Sequence, residues 1–279
     1  EINIGDWSSD VCSSDLDASA AKAGGVINAS GTASITGGEN FKITTGAGAD
    51  TIEALKGDTV RSGEGADNIV LNGGYVELDA GACKDTVTGT SDYATVKAGA
   101  GEDSIVLGGK DIFIDAGSEN DYVSIGGEES TVLGGAGNDT IVVVTGAKNA
   151  VVDGGAGDDS IKSAADGVTI TGGAGKDIIS VSGSNWVVDA GADADSLNVS
   201  GTGTVTLGTG KDTVAFGTEA DVTFTDYNYN DDTLEHVAIA DIKADAKSLA
   251  TTFGTDGKLV LGNAKATFTG KDGVYAAKF

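Results

Sequence analysis

GGAGNDTIV (Gly134 to Val142), GGAGDDSIK (Gly154 to Lys162) and GGAGKDIIS (Gly172 to Ser180) are three copies of one nine-residue unit. Looser copies run on either side: TGAGADTIE, SGEGADNIV, AGACKDTVT, AGAGEDSIV and AGSENDYVS before them, AGADADSLN and LGTGKDTVA after. The sixth position is always Asp: Asp50, Asp67, Asp85, Asp103, Asp121, Asp139, Asp159, Asp177, Asp195 and Asp212. The second position is always Gly and the eighth always aliphatic. Successive aspartates lie mostly 18 residues apart, 17 at either end, and 20 once, between Asp139 and Asp159. A fixed period of this length is the signature of a solenoid, because one unit cannot bury its own apolar face and must stack on its neighbours.

The period divides into two turns and two short strands. The first strand follows the aspartate, with apolar residues alternating as in Ile141 and Val143. The second precedes the next glycine turn and carries Val60, Leu78, Val96, Ile114, Val132, Val152, Ile170, Val188 and Val205 at its inward position. Alternation with period two puts these on one face of a pleated strand, with Thr, Ser, Asp and Lys on the other. The expected fold is all-β: a parallel β-roll or β-solenoid of about 18 residues per coil. At about 4.8 Å per strand, ten coils make a rod roughly 45 to 50 Å long. The spacing of 20 reads as two extra residues in the outer loop near Thr145 to Asn149, which leaves the aspartate turns in line.

Composition agrees. The 279 residues include 45 Gly, no Pro and no Met, which excludes collagen. The net charge is −26, so nucleic acid and anionic membranes are poor partners. No apolar run of membrane-spanning length occurs. The carboxylates are arrayed rather than scattered. One per turn makes a column of like charges a strand spacing apart, which repels itself. A hard cation between successive turns removes that cost, and carboxylate and carbonyl oxygens are the ligands calcium prefers. One His and two Cys supply no soft-ligand cluster for zinc or copper. The alternative is a metal-free solenoid in which each Asp caps its turn by accepting backbone N–H groups.

The unit G-G-x-G-x-D-x-U-x, with U aliphatic, resembles the calcium-binding nonapeptide of the RTX (repeats-in-toxin) β-roll, over about Gly46 to Ala215. The resemblance implies calcium ions shared between adjacent coils. Their ligands would be the sixth-position aspartates and backbone carbonyls of the turns, best matched at Gly134, Gly135 and Gly137, at Gly154, Gly155 and Gly157, and at Gly172, Gly173 and Gly175. It also implies a secreted or cell-surface bacterial protein that folds on meeting calcium. A standard roll repeats the nonapeptide on both edges, whereas here the opposite turn is short and variable, as in Gly73-Gly74, Ser91-Asp92 and Gly126-Gly127. One calcium column along one edge is therefore expected. Cys83, Glu119 and Asp193 replace the fourth-position glycine, so the pattern is incomplete at those turns.

Four segments follow. Residues 1–20 are read as a disordered leader, within which Asp6 to Leu16 (DWSSDVCSSDL) resembles the conceptual translation of a short-read sequencing adapter. Residues 21–45 are read as irregular N-terminal coils, 46–215 as the roll, and 216–279 as a small α/β cap that could double as a secretion signal. In the cap, Asp241 to Phe253 reads as a helix, with strands at Lys258 to Leu261, Ala264 to Thr269 and Val274 to Phe279. Trp186 falls at an inward strand position, Cys83 in a turn, and His236 and the Tyr227/Tyr229 pair in the cap. No catalytic constellation is present, and a narrow rod offers no cleft for a carboxylate pair. The expected function is a calcium-binding extracellular rod or stalk. A self-assembling surface-layer or filament subunit, and an adhesin binding glycan or host protein through the cap, are the alternatives. Ice binding would need a regular Thr array, which Tyr122 and Ile178 interrupt at the seventh position.

Overall fold

The computed structural model describes residues 14–20, 24–217, 220–226, 231–236, 258–261 and 264–268. The chain winds as a succession of short strands that alternate between two sheets. Odd strands, from β1 (Ser14–Asp17) through β15 (Thr140–Val143) to β25 (Thr233–His236), form one sheet of 13. Even strands, from β2 (Val26–Asn28) through β16 (Val151–Ala156) to β24 (Asp221–Phe224), form the other. That second sheet is completed by β27 (Ala264–Phe268), parallel to β24, and by β26 (Lys258–Leu261), antiparallel to β27.

Each strand pairs with the equivalent strand one coil away, so identical positions stack. Ile141 lies between Val123 and Ile161, and Val152 between Val132 and Ile170. The nine inward residues of the second strands are all 3% exposed or less. They meet Ile52, Ile69, Ile105, Ile141, Ile161 and their equivalents across a core one side chain deep from each sheet. Trp186 is fully buried, and its indole N–H donates to the Ser200 carbonyl at 3.0 Å. The two-residue insertion is absorbed in the loop between β15 and β16, and Gly135 still pairs with Gly155.

The second-position glycine is required twice over. Gly155 has φ +105°, a conformation other residues rarely adopt, and a Cβ there would collide with the carbonyl oxygen of Gly135 in the preceding coil. The opposite turn also has a fixed element, although its residues vary. One residue per coil sits in the left-handed region, at Asn40, Gly57, Tyr75, Tyr93, Asp111, Glu129, Asn149, Gly167 and Asn185, with φ between 53° and 75°. Tyr75 and Tyr93 stack at 4.9 Å, with Lys110 5.4 Å from the Tyr93 centroid.

The solenoid is longer than the motif. Ser14–Asp17, inside the segment read as a disordered leader, pair in parallel with β3 (Ala33–Thr36). The coils over 24–45, read as irregular, keep the register of the rest. Beyond residue 215, β24 and β25 add a further coil in line, and Phe216 packs edge-on against Phe224 at 6.0 Å. Pairing of apolar positions, which the nonapeptide does not govern, carries the register there. Two of the strands expected in the cap are present as β26 and β27. The helix expected at 241–253, the strand at 274–279, and Tyr227 and Tyr229 lie outside the described residues.

Candidate calcium column

The turn from an even strand to the next odd strand turns the sixth-position Asp inward. All ten are buried, at 2% exposure or less except Asp121 at 3%. Their two carboxylate oxygens have different roles. Oδ1 accepts the backbone N–H of the Asp one coil earlier: Asp50 donates to Asp67, Asp139 to Asp159 and Asp159 to Asp177, each at 2.8 Å. The ladder runs unbroken from Ala33 N–H on Asp50 to Asp195 N–H on Asp212. It extends one coil further, with Asp212 N–H donating to Asp232 at 3.3 Å. Oδ2 of each of the ten is buried with no hydrogen-bond partner.

An isolated buried orphan oxygen costs about 1–3 kcal/mol or more, and a charged one costs more still. Ten in a row therefore call for a common partner. Burial, ahead of every other cause, pushes the carboxyls of Asp85, Asp121, Asp159 and Asp195 up to about 7 and that of Asp212 to about 6. Asp67, Asp103, Asp139 and Asp177 also rise, again chiefly through burial. In each case the ladder N–H lowers the value and falls short of offsetting burial. Neighbouring carboxylates add to the rise at Asp85, Asp121, Asp159, Asp195 and Asp212.

At the first-position glycines the orphan oxygen closes on the backbone and leaves no room for a side chain. A point at Cβ distance from Gly154 lies 2.5 Å from Asp159 Oδ2 and 2.5 Å from the Gly172 carbonyl oxygen of the next coil. The same point at Gly134 lies 2.6 Å from Asp139 Oδ2 and against the Gly154 carbonyl. At Gly172 it lies 2.5 Å from Asp177 Oδ2 and against the Ala190 carbonyl. The carboxylate Oδ2 and the next coil's carbonyl oxygen therefore converge beside each of these glycines, two hard ligands of the kind calcium takes. In other coils the first position differs. Ala80, Ala98, Ala116 and Ala190 place a methyl there. The hydroxyls of Thr45 and Ser62 donate to the corresponding carbonyls, Ser62 O at 2.6 Å and Ala80 O at 2.8 Å.

Of the glycines singled out in the sequence, the structure gives Gly134, Gly154 and Gly172 this place beside the orphan oxygen. Gly135, Gly155 and Gly173 form the close stack between coils, and Gly137, Gly157 and Gly175 turn the chain at φ 127° to 134°. Cys83, Glu119 and Asp193 take the fourth position at φ 75° to 81°, a different turn. The opposite edge has no matching column. Its one buried carboxylate in the repeat, Asp58, uses both oxygens, accepting Phe41 N–H and Leu55 N–H at 2.8 Å each. Sequence reasoning passed over Asp58 and Asp232 because neither sits in a nonapeptide. Among the described residues no group of three or more His, Cys, Asp or Glu could hold a metal by side chains alone. A column fed by one carboxylate per coil must draw on backbone carbonyls.

Comparison with protein families places the RTX calcium-binding nonapeptide repeat on residues 42–60, 61–96, 125–143, 142–166, 153–185 and 169–197. The matched stretches are RTX-type calcium-binding repeats. The unmatched interval 97–124 contains the turn in which Glu119 replaces glycine, and the RTX ladder runs through it without a break. No curated protein matches. A solved structure, a hyperactive, Ca2+-dependent, β-helical antifreeze protein from an Antarctic bacterium, is similar with a TM-score of 0.53 and 22% identity. The match covers 87% of this chain and 93% of that one, and it carries the fold.

Proposed function

We propose that the chain is the calcium-set rod of an extracellular bacterial protein, with ions lying between successive aspartate turns along one edge. The observation that carries this reading is the row of ten buried, unpartnered Oδ2 atoms. Bound calcium supplies charge neutralisation and bridges each coil to the next. The ligands are the ten sixth-position aspartates and turn carbonyls. The repeat is a structural element and not a catalytic one. Ions that each touch two coils are taken up cooperatively, so the rod stiffens as a unit where calcium is abundant, outside the cell.

The coils are not equivalent. Asp139, Asp159 and Asp177, whose turns keep all three glycines of the nonapeptide, hold their ions most tightly. The Thr45 and Ser62 coils, whose carbonyls are already bonded to hydroxyls, hold theirs least. Equilibrium dialysis with calcium analysis of the full chain tests this. Several ions per chain are expected, up to about nine if every adjacent pair of turns shares one. Binding of none, or of a single ion, would overturn the column.

The antifreeze activity of the similar structure is not carried over to this chain. The seventh-position column holds Tyr122 at 41% and Ile178 at 57% exposure among its Thr and Ser residues, so it lacks a uniform array.

A further inference from the structure

Three sides of the rod carry charge along their length, and the fourth carries it only at Lys162 over nine successive coils, with Glu53 one coil before them. The aspartate-turn edge exposes Glu64, Lys84, Glu102, Asp158 and Lys176. The opposite edge exposes Lys56, Asp92, Lys110, Glu128 and Glu129. The outer face of the even sheet carries Arg61, Glu77, Asp79, Lys97 and Asp189. The outer face of the odd sheet is different. Its outward positions, with the residue that follows each strand and continues the pairing, run over nine coils from Asn68 to Gly217. Lys162 is the only charged residue among them. With 22% of the chain charged, a face of that size would carry several charges if composition alone decided it.

The rest of the face is Thr, Ser, Asn, Val, Ala and Gly, with Tyr122 and Ile178. Val106 and Val144 are each 43% exposed, Tyr122 41% and Ile178 57%. Small β-branched side chains on a regular parallel sheet make a level surface of the kind that packs on another sheet about 10 Å away.

We infer that the outer face of the odd sheet is the contact between two copies of this chain. Charge decides the partner. Two molecules of net charge −26 repel through every other side, and only this face lets them meet without opposing carboxylates. Nine strands make it roughly 40 Å by 15 Å, about 600 Å2 per copy, somewhat under the about 800 Å2 of a standard interface. The association is therefore reversible, with Val106, Tyr122, Val144 and Ile178 as its apolar anchors. A two-fold axis across the face pairs the patch with itself. Calcium loading, which rests on the reading above, lowers the net charge by two per ion and so favours the pair.

Sedimentation velocity of the full chain tests this, from about 5 to about 500 µM, with calcium and with chelator. The calcium-loaded protein is expected to pass from monomer to dimer over that range. The double variant Val106→Glu, Thr140→Glu places charge on the face and raises the dimer dissociation constant at least about tenfold. Thr95→Glu, Thr169→Glu adds the same charge to the other sheet and changes it less than about threefold. Circular dichroism checks that both variants remain folded. A wild-type monomer at every concentration would overturn the inference, including one that adsorbs to ice or to a crystalline polysaccharide. So would equal effects of the two double variants. A folded dimer in chelator that binds no calcium would leave this face standing and remove the calcium reading instead.

Discussion

Asp159→Asn lowers the melting temperature of the calcium-loaded protein by about 10 °C and leaves that of the chelated protein unchanged or higher. The two signs come from the two oxygens. The Asn side-chain carbonyl keeps the bond from Asp139 N–H, so the ladder survives. The amide group replaces Oδ2, which has no partner within the protein. Without calcium, this exchanges a buried orphan carboxylate oxygen for a neutral group able to donate towards the Gly172 carbonyl, and the column loses one of its repelling charges. With calcium, the same change removes a charged ligand from the ions on both sides of the coil, worth about 3 kcal/mol or more. Thermal unfolding of both proteins in calcium and in chelator gives the answer. A loss of the same size under both conditions would mean that Asp159 acts only as a turn cap.

Without calcium, the protein is most stable in mild acid and weakens as pH rises towards neutrality. The carboxyls of Asp85, Asp121, Asp159 and Asp195 are held up at about 7 and that of Asp212 at about 6, while in the unfolded chain an Asp titrates near 4. Between those limits the folded state binds more protons than the unfolded state. The derivative of unfolding free energy with pH is then negative. The contribution is fully present below about pH 4 and is gone above about pH 7. A melting temperature in chelator that falls by several degrees from about pH 5 to pH 7.5 is the expected result. Because calcium competes with these protons, its apparent affinity weakens as pH drops below about 7. A chelated protein whose stability rises over the same window would contradict the buried, orphaned state of the column.

Much of this architecture was legible in the sequence because a solenoid repeats its constraints. The interval of 17 to 20 residues between aspartates set the coil, and alternation at Ile141, Val143 and Val152 set the inward face. The column itself was legible as a row of Asp. Its division of labour was not. Capping and metal binding stood as alternatives, whereas the structure gives Oδ1 to the ladder and leaves Oδ2 without a protein partner. That split depends on the vertical offset between coils, which spacing does not encode. The opposite turn looked variable because the constraint there is a left-handed backbone. Tyr75, Asp111 and Glu129 meet it as well as Gly57 does, so no residue type marks it. The pairing beyond the motif left no mark in the sequence for a similar reason. Val222 and Phe224 fill inward positions of a coil without a nonapeptide, and parallel pairing continues past the motif. The uncharged face was hidden because its members lie a full coil apart in the chain, interleaved with the charged positions of the other sides.

Far-UV circular dichroism of the chelated chain, held just above its melting temperature in chelator and followed through a calcium titration with magnesium as the control, tests the ion-set rod most directly. A cooperative gain of β signal with calcium, and none with magnesium, is the predicted result, because the orphaned oxygens need a cation of calcium's size and flexible coordination. No gain of β signal at saturating calcium would contradict it and leave the aspartates as protonated or water-bonded caps of a metal-free scaffold.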